Sequence, residues 1–449
     1  MKQTIMAVDI GSSNITCLIA EVVEGSPKII GSGISKSQGI RKGAIIHIEQ
    51  AAQSIKSAIE DAKMMAGVEI KRAIISISGV YAKSRNASGV VTVPSGEIGV
   101  NEIRRSIHGA LHNAMIPGER EVIHILPYQF IIDDQEYVDD PNGMSGSRLK
   151  TNVHIVTLPK TVLDNLRRVT KFIGIEIESI VLSSYATSIA VLNDDEKELG
   201  VACIDMGGST CDVMIYSGSS MCYDEVLPVG SHNITNDIAT VFNTPFDSAE
   251  TLKIEYGDVA YQKRENQDIP PLKIPSIGSD DKKRVITLQE LSKVILYRLA
   301  ETLNFLYMMI ERNELRPQIG AGVVFTGGLV KLKGTEEMIE SIFQDYPIRI
   351  AFPKAIEGLD ESLRDPSCSV AVGLIMYGSG GFTNYEIDSE KRLKTKRSRL
   401  SQDDMREFSS DSKKREDIAS VFEDEIPKQD EEQKPQKKGW FQKFKDQFL

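Results

Sequence analysis

Long apolar runs are missing from this chain. No stretch of about 18 apolar residues occurs among its 449, so the expectation is that nothing in it spans a bilayer. Excess basic charge is missing too. A formal charge of −11 excludes the positive footprint of a nucleic-acid binder. Five cysteines, none in a C-x-x-C pair, give no disulfide or zinc framework. Cys17 and Cys203 lie inside apolar runs and read as small core residues. The six histidines show no ligand spacing; His108 and His112 share a helix face, but no third ligand is near. The opening Met1–Asp9 is too short and too soon acidic for a signal peptide, which predicts a cytoplasmic protein. With 41% hydrophobic residues the chain has material for real cores, and its length predicts about three domains.

What the sequence does have is one short phrase written twice. Val8-Asp9-Ile10-Gly11-Ser12-Ser13-Asn14, followed by Ile15–Ile19, is echoed by Ile204-Asp205-Met206-Gly207-Gly208-Ser209-Thr210, followed by Cys211–Ile215. Each copy is an apolar run ending in Asp, a turn of small residues, then a second β-prone run. That pattern predicts a hairpin with an almost bare tip. Small residues let backbone N–H groups converge on an anion, and such nests bind phosphate. An Asp at the end of the strand can hold the water shell of Mg²⁺. Two such tips facing each other would grip a nucleoside triphosphate. A single Asp-Gly turn is usually only a hairpin; the repetition favours the phosphate reading.

The rest of the chain alternates strands and helices in two halves, which predicts α/β layers around a central cleft. Ala51, Ile55, Ala58, Ile59, Ala62 and Met65 follow a 3.6-residue period, and Gly67 ends that helix. From about Lys83 to Lys160 the character changes to a compact α+β module, with a helix over Asn101–Ala114 begun by an Asn cap. Helices are also predicted over Thr161–Ile173, Ser183–Leu192, Asn233–Phe242, Asp247–Tyr256, Leu288–Asn313 and Ser367–Tyr377. The polar stretch Gln262–Lys283 reads as a loop-rich insertion. Val324-Phe325-Thr326-Gly327-Gly328 is a third strand ending in a glycine turn. Alone, Gly-Gly is a turn; as the third turn of this set it suits passage beneath an adenine ring. Glu250 and Lys253, one helical turn apart, read from spacing as a surface ion pair. Neither G-x-x-x-x-G-K-[ST] nor G-x-G-x-x-G occurs.

Residues 383–436 carry many charges of both signs, few aromatics and no period, which predicts a disordered linker with an end-to-end distance of roughly 40 Å. The final segment, 437–449, differs. On a helical wheel Trp440, Phe441, Phe444 and Phe448 share one face, flanked by Lys443 and Lys445. Such a helix can dock on its own body, on a partner or in a membrane surface, and the aromatics, lysines and long tether favour the membrane. One short helix binds weakly, so firm attachment calls for many copies acting together.

The three glycine turns, in this order and at these separations, resemble the actin-like ATPase superfamily of actin, DnaK-type chaperones and sugar kinases. Gly39-Ile40-Arg41-Lys42-Gly43, Ile131-Ile132-Asp133, the run Gly143–Leu149 and Ser369–Leu374 resemble the FtsA family of bacterial cell-division proteins, as does the terminal amphipathic helix. The resemblance implies a two-lobed actin-like α/β fold with duplicated ribonuclease-H-like cores. Subdomain 1A would be 1–83 with 161–197 and 361–382; 1C would be 84–160. Subdomain 2A would be 198–244 with 301–360, and 2B 245–300. It implies ATP and Mg²⁺ held by Asp9, Gly11, Ser12, Ser13 and Asn14 on one side, and by Asp205, Gly207, Gly208, Ser209 and Thr210 on the other. Asp9 and Asp205 would reach the metal through water. Gly327 and Gly328 match the adenosine loop, and Glu250 with Lys253 match positions beside ribose and adenine. The family's behaviour further implies actin-like filaments, binding of the tubulin-like protein FtsZ through 2B, later division proteins recruited through 1C, and peripheral attachment to the cytoplasmic face of the inner membrane at the division site. Lys282, Lys283 and Arg284 lie where 2B could meet an acidic partner tail, although a solvated charge cluster is an equal reading.

One departure matters. Hydrolytic members of the superfamily place Glu or Gln before the second half, to orient the attacking water. Here that neighbourhood is Val181-Leu182-Ser183-Ser184-Tyr185, and the first turn has no nearby Lys. Water positioning and charge neutralisation supply most phosphoryl-transfer catalysis, so the expectation is nucleotide binding with slow turnover. A small-molecule kinase, a chaperone and a pilus-assembly scaffold are the competing functions on this fold. The first would have no use for the aromatic tail, and the second would continue into a folded substrate domain.

Overall fold

A computed structural model describes residues 2–396, apart from 219, 262–270, 278 and 313. The linker beyond residue 396 and the terminal helix with Trp440, Phe441, Lys443, Phe444, Lys445 and Phe448 lie outside the described residues. The chain opens with β1 (Lys2–Ile10), β2 (Asn14–Val23) and β3 (Ser26–Lys36), then the small ribbon β4 (Ile40–Arg41) and β5 (Ala44–Ile45). Helix α1 (Ile48–Ala66) follows; its amphipathic face buries Ala51, Ile55, Ala58 and Ala62, and Gly67 ends it in the left-handed conformation. After β6 (Arg72–Ile77) comes the inserted module: β7 (Lys83–Thr92), α2 (Val100–Asn113), β8 (Arg120–Ile132), β9 (Gln135–Val138) and β10 (Arg148–Pro159). The first half closes with α3 (Lys160–Phe172), β11 (Glu176–Leu182), α4 (Ser183–Val191) and α5 (Asp194–Leu199).

The second half begins with β12 (Val201–Met206), β13 (Cys211–Tyr216) and β14 (Met221–Leu227). Then come α6 (Ser231–Phe242), α7 (Phe246–Tyr256), β15 (Leu272–Ser276), β16 (Ser279–Ile286), α8 (Leu288–Glu311), β17 (Val323–Thr326), α9 (Thr335–Ile342), β18 (Ile348–Ile350) and α10 (Ser369–Met376). The described chain ends with β19 (Glu386–Ile387) and β20 (Leu393–Lys394).

The two halves repeat one topology. The first sheet runs β11-β6-β1-β2-β3 and the second β18-β17-β12-β13-β14, so β1 matches β12, and β2 matches β13. In each, the central strand pairs antiparallel with the next strand and parallel with a later one. Those central strands are buried almost continuously, Ile5–Val8 in one and Val201–Ile204 in the other, as strands covered on both faces must be. Each half has its own apolar core, and the inserted module has a third. Cys17 and Cys203 are fully buried in strands, as their setting in apolar runs predicts. Among the described residues no helix is long and apolar enough to cross a membrane.

Three expectations need correction. The cap of α2 is Gly99, not Asn101: the Glu102 carboxylate reaches back to the Gly99 N–H at 3.1 Å, which starts the helix one residue earlier. The stretch Gln262–Lys283 is not all loop, because β15 and β16 pair as an antiparallel ribbon that buries Ile274 and Ile286 in the core of the second half. The linker does not begin at residue 383. Residues 383–396 fold back on the inserted module, β19 pairing with β8 through Ile387 and Ile125. Glu386 is fully buried there, and His124 Nδ1, Tyr185 Oη and Tyr377 Oη all contact its carboxylate at 2.9 Å. The Leu182 N–H donates to His124 Nε2 at 3.1 Å, which leaves Nδ1 as the donor to Glu386. Lys394 sits 3.8 Å over the Tyr377 ring, and Asp388 takes the Arg392 guanidinium at 2.9 Å.

Candidate functional site

The twin phrase forms two hairpins. Asp9 pairs with Thr16 across β1 and β2, Asp205 with Asp212 across β12 and β13. The tips meet: a Cβ on Gly208 would lie 2.4 Å from Ser13 Oγ, so a larger residue there would have to displace the serine hydroxyl of the first tip. Gly207 N–H closes the second turn onto Thr210 O at 2.8 Å. The third glycine turn joins them, because β17 runs parallel to β12 with Thr326 beside Asp205. Gly327, at φ 91°, would place a Cβ 2.4 Å from Asp205 Oδ1. Gly328 sits over Ser367, a Cβ there falling 3.4 Å from the serine's own. The second and third turns therefore close on Asp205, and the first meets the second at Gly208.

Acidity is concentrated at this point. Burial pushes Asp9 up to about 7, although Ser76 Oγ donates to it at 2.8 Å and opposes the shift; the Asp205 charge adds to it. Burial also raises Asp205, against the Thr187 hydroxyl that donates to it at 2.6 Å. Asp212 is pushed up to about 7 by burial and by Asp205. Its Oδ2 accepts from Thr210 at 3.0 Å, whereas its buried Oδ1 has no partner among the described residues. Three carboxyls that resist ionising together form a site lacking a counter-charge. The donor set fits a hard cation. Among the described residues no three His, Cys, Asp or Glu stand close enough to enclose a metal directly.

Glu250 and Lys253 on α7 are not the surface pair that spacing suggests. Lys253 is only 6% exposed, and its ammonium lies 2.8 Å from Glu250 Oε2, 3.0 Å from Thr235 Oγ1 and 3.3 Å from Ser231 O. Burial lowers the Lys253 pKa; burial would raise that of Glu250, but the bonds from Lys253 and Thr235 outweigh it and hold the carboxylate low. Arg284 donates to Phe242 O at 3.3 Å, while the side chains of Lys282 and Lys283 lie outside the described residues. Sequence reasoning missed Ser76, Thr187, Asp212 and His232. An Asp inside the apolar strand Cys211–Tyr216 was a signal for Asp212, since a buried charge needs a partner. Nothing in the spacing marked the other three.

Comparison with known proteins follows the same lines. The cell division protein FtsA of Helicobacter pylori strain 26695 is 40% identical over 416 residues, spanning 87% of this chain and 84% of its own. This chain belongs to the FtsA family. The FtsA proteins of Pseudomonas aeruginosa and Escherichia coli K12 are 36% and 30% identical, over 83% and 87% of the chain and 89% and 94% of their own lengths. The family model for cell division protein FtsA matches residues 202–373, and that for the SHS2 domain inserted in FtsA matches residues 79–157. An actin-like cell-division protein is the resulting assignment. Among solved structures, a PilM-PilN type IV pilus biogenesis complex aligns with a TM-score of 0.61 at 15% identity, over 84% of this chain and 98% of that one. MreB5 of Spiroplasma citri bound to ADP aligns at 0.50 and 15% identity, over 83% and 94%. Identities this low speak for the actin-like fold alone.

Proposed function

We propose that this FtsA-family protein binds ATP with Mg²⁺ in the cleft between its two hairpin tips, assembles into actin-like filaments, and tethers the FtsZ ring to the cytoplasmic face of the inner membrane at the division site. The observation that carries the reading is the direct opposition of the tips, Ser13 against Gly208, beside three buried carboxyls that lack a counter-charge. Solved relatives of the fold bound to ADP and AMPPNP support nucleotide as the ligand. Backbone N–H groups of Gly11–Asn14 and of Gly208–Thr210 would face the phosphates, with Gly207 shaping the second turn. Gly327 and Gly328 would pass beneath the adenine, and Glu250 with Lys253 would flank the ribose. Asp9 and Asp205 would hold Mg²⁺ through water, and the metal would draw charge from the terminal phosphates. The 1C module would receive later division proteins, and 2B, with Lys282, Lys283 and Arg284, the acidic tail of FtsZ. No Glu or Gln stands at Ser183 or Ser184 to aim a water, so turnover is slow; phosphate release at the rate of ordinary ATPases would contradict this.

Membrane attachment in this scheme comes from 437–449, multiplied by filament formation. The test is co-sedimentation with anionic vesicles, with and without Mg-ATP, for the full chain and for a chain ending at residue 436. The full chain should sediment with vesicles and more so with ATP. A shortened chain that still sediments equally removes the tail from the scheme.

A further inference from the structure

One side chain touches both tips. His232, second residue of α6, has Nε2 3.0 Å from Ser13 Oγ and Nδ1 3.1 Å from Ser209 Oγ. Its backbone fixes it to the second tip: His232 N–H donates to Gly208 O at 2.8 Å and Ser231 N–H to Gly207 O at 3.1 Å. The edge of the Phe246 ring, 6.0 Å away at 73°, holds the imidazole from the α7 side. The ring thus starts on one tip and reaches across to the other. A neutral imidazole donates from one nitrogen and accepts at the other, and a serine hydroxyl can serve either role.

The charge around it is sparse. From the two tips only hydroxyls face the ring, and from α7 come Glu250, which favours its protonation, and Lys253, which opposes it. Burial is the largest influence and lowers its pKa below the ordinary 6.5. Neither tip, Gly11–Asn14 or Gly207–Thr210, contains Lys or Arg. A polyphosphate lodged between the tips would therefore meet this imidazole as the basic group that spans them.

Building on the nucleotide reading above, we propose that His232 is a clasp across the phosphate loops that gives up a serine hydroxyl to bind a terminal phosphate of the nucleotide, taking up a proton as it does so. A neighbouring polyanion favours the imidazolium, whose two N–H groups then both donate. Bridging the two tips and sensing the phosphate become two states of one ring.

The test is equilibrium binding of Mg-ATP to the full-length protein and to His232→Gln between pH 5.5 and 8, by calorimetry. Glutamine keeps a donor and an acceptor but cannot take a proton in this range. Asp9, Asp205 and Asp212 titrate in both proteins, so the ratio of the two affinities isolates the imidazole. That ratio should rise several-fold from pH 8 to pH 6, one unit of pKa shift setting an upper bound of about tenfold. Calorimetry in two buffers of different ionisation enthalpy should show additional proton uptake in the parent. A ratio flat with pH, with equal proton uptake in both proteins, overturns the clasp. A parent that binds no Mg-ATP at any pH overturns the nucleotide reading and the clasp with it, whereas a parent that binds while the ratio stays flat sinks the clasp alone. His232→Asn serves the same comparison where the glutamine variant does not fold.

Discussion

Replacing Glu386 by alanine removes an acceptor from the interior, not from a linker. Its carboxylate takes Tyr185, Tyr377 and His124 from three separate elements, each at 2.9 Å. Tyr185 keeps a second bond, to Thr383 Oγ1 at 3.0 Å, so Glu386→Ala strands two donors, His124 Nδ1 and Tyr377 Oη. A buried donor left unmade costs about 1–3 kcal/mol. The sum is offset in part because a buried carboxylate, itself costly to desolvate, is gone. The net loss should be about 3 kcal/mol. Glu386→Gln keeps one acceptor oxygen but sets an amide N–H against a donor, and should cost about half as much. Urea unfolding followed by circular dichroism measures both. Exposed Glu361 in the same assay should change by less than about 0.5 kcal/mol. A chain ending at residue 396 should fold, and one ending at 382 should not be recovered soluble. If Glu386→Ala stays within about 0.5 kcal/mol of the parent, the buried network does not exist as described.

Asp205→Ala removes the carboxyl on which the second and third glycine turns close, and should weaken Mg-ATP binding at least about tenfold; unchanged affinity by calorimetry takes Asp205 out of the site. A pH effect follows from Asp9 and Asp212, both raised from 3.8 to about 7. The native state holds protons that the unfolded chain has released, so the stability these groups allow is full below pH 3.8 and is lost as pH rises to about 7. The empty protein should therefore melt lower at pH 7.5 than at pH 5.5, and Mg²⁺ with nucleotide should restore more at the higher pH. Melting temperatures that respond to neither variable would refute the acidic cluster.

Much of this was written locally. The twin hairpins were legible because their chemistry, an acid followed by bare turn residues, is repeated at matching places in two halves. Helix α1 was legible because its buried face keeps a 3.6-residue period and Gly67 stops it. The segment 383–396 was not, since Glu386, Asp388, Arg392 and Lys394 look like solvated charge. Glu386 takes His124 and Tyr185, 262 and 201 positions away, and no local window of sequence contains those two partners. His232 was hidden for the same reason: its two serines lie 219 and 23 positions away. The β15–β16 ribbon was missed because its apolar positions, Leu272, Ile274 and Ile286, are too few and too far apart to stand out in a polar stretch.

The module that interrupts the first half is stitched shut by residues synthesised far later. His124 meets Glu386 across 262 positions. A nascent chain leaving the ribosome can pair β7, β8, β9 and β10 early, but the edge of β8 at Ile125 waits for Ile387 of β19 until nearly all of the described polypeptide has emerged. Distant closures of this kind come late and slowly, so the interval between translating β10 and translating β19 is when this protein is most open to mispairing with a neighbour.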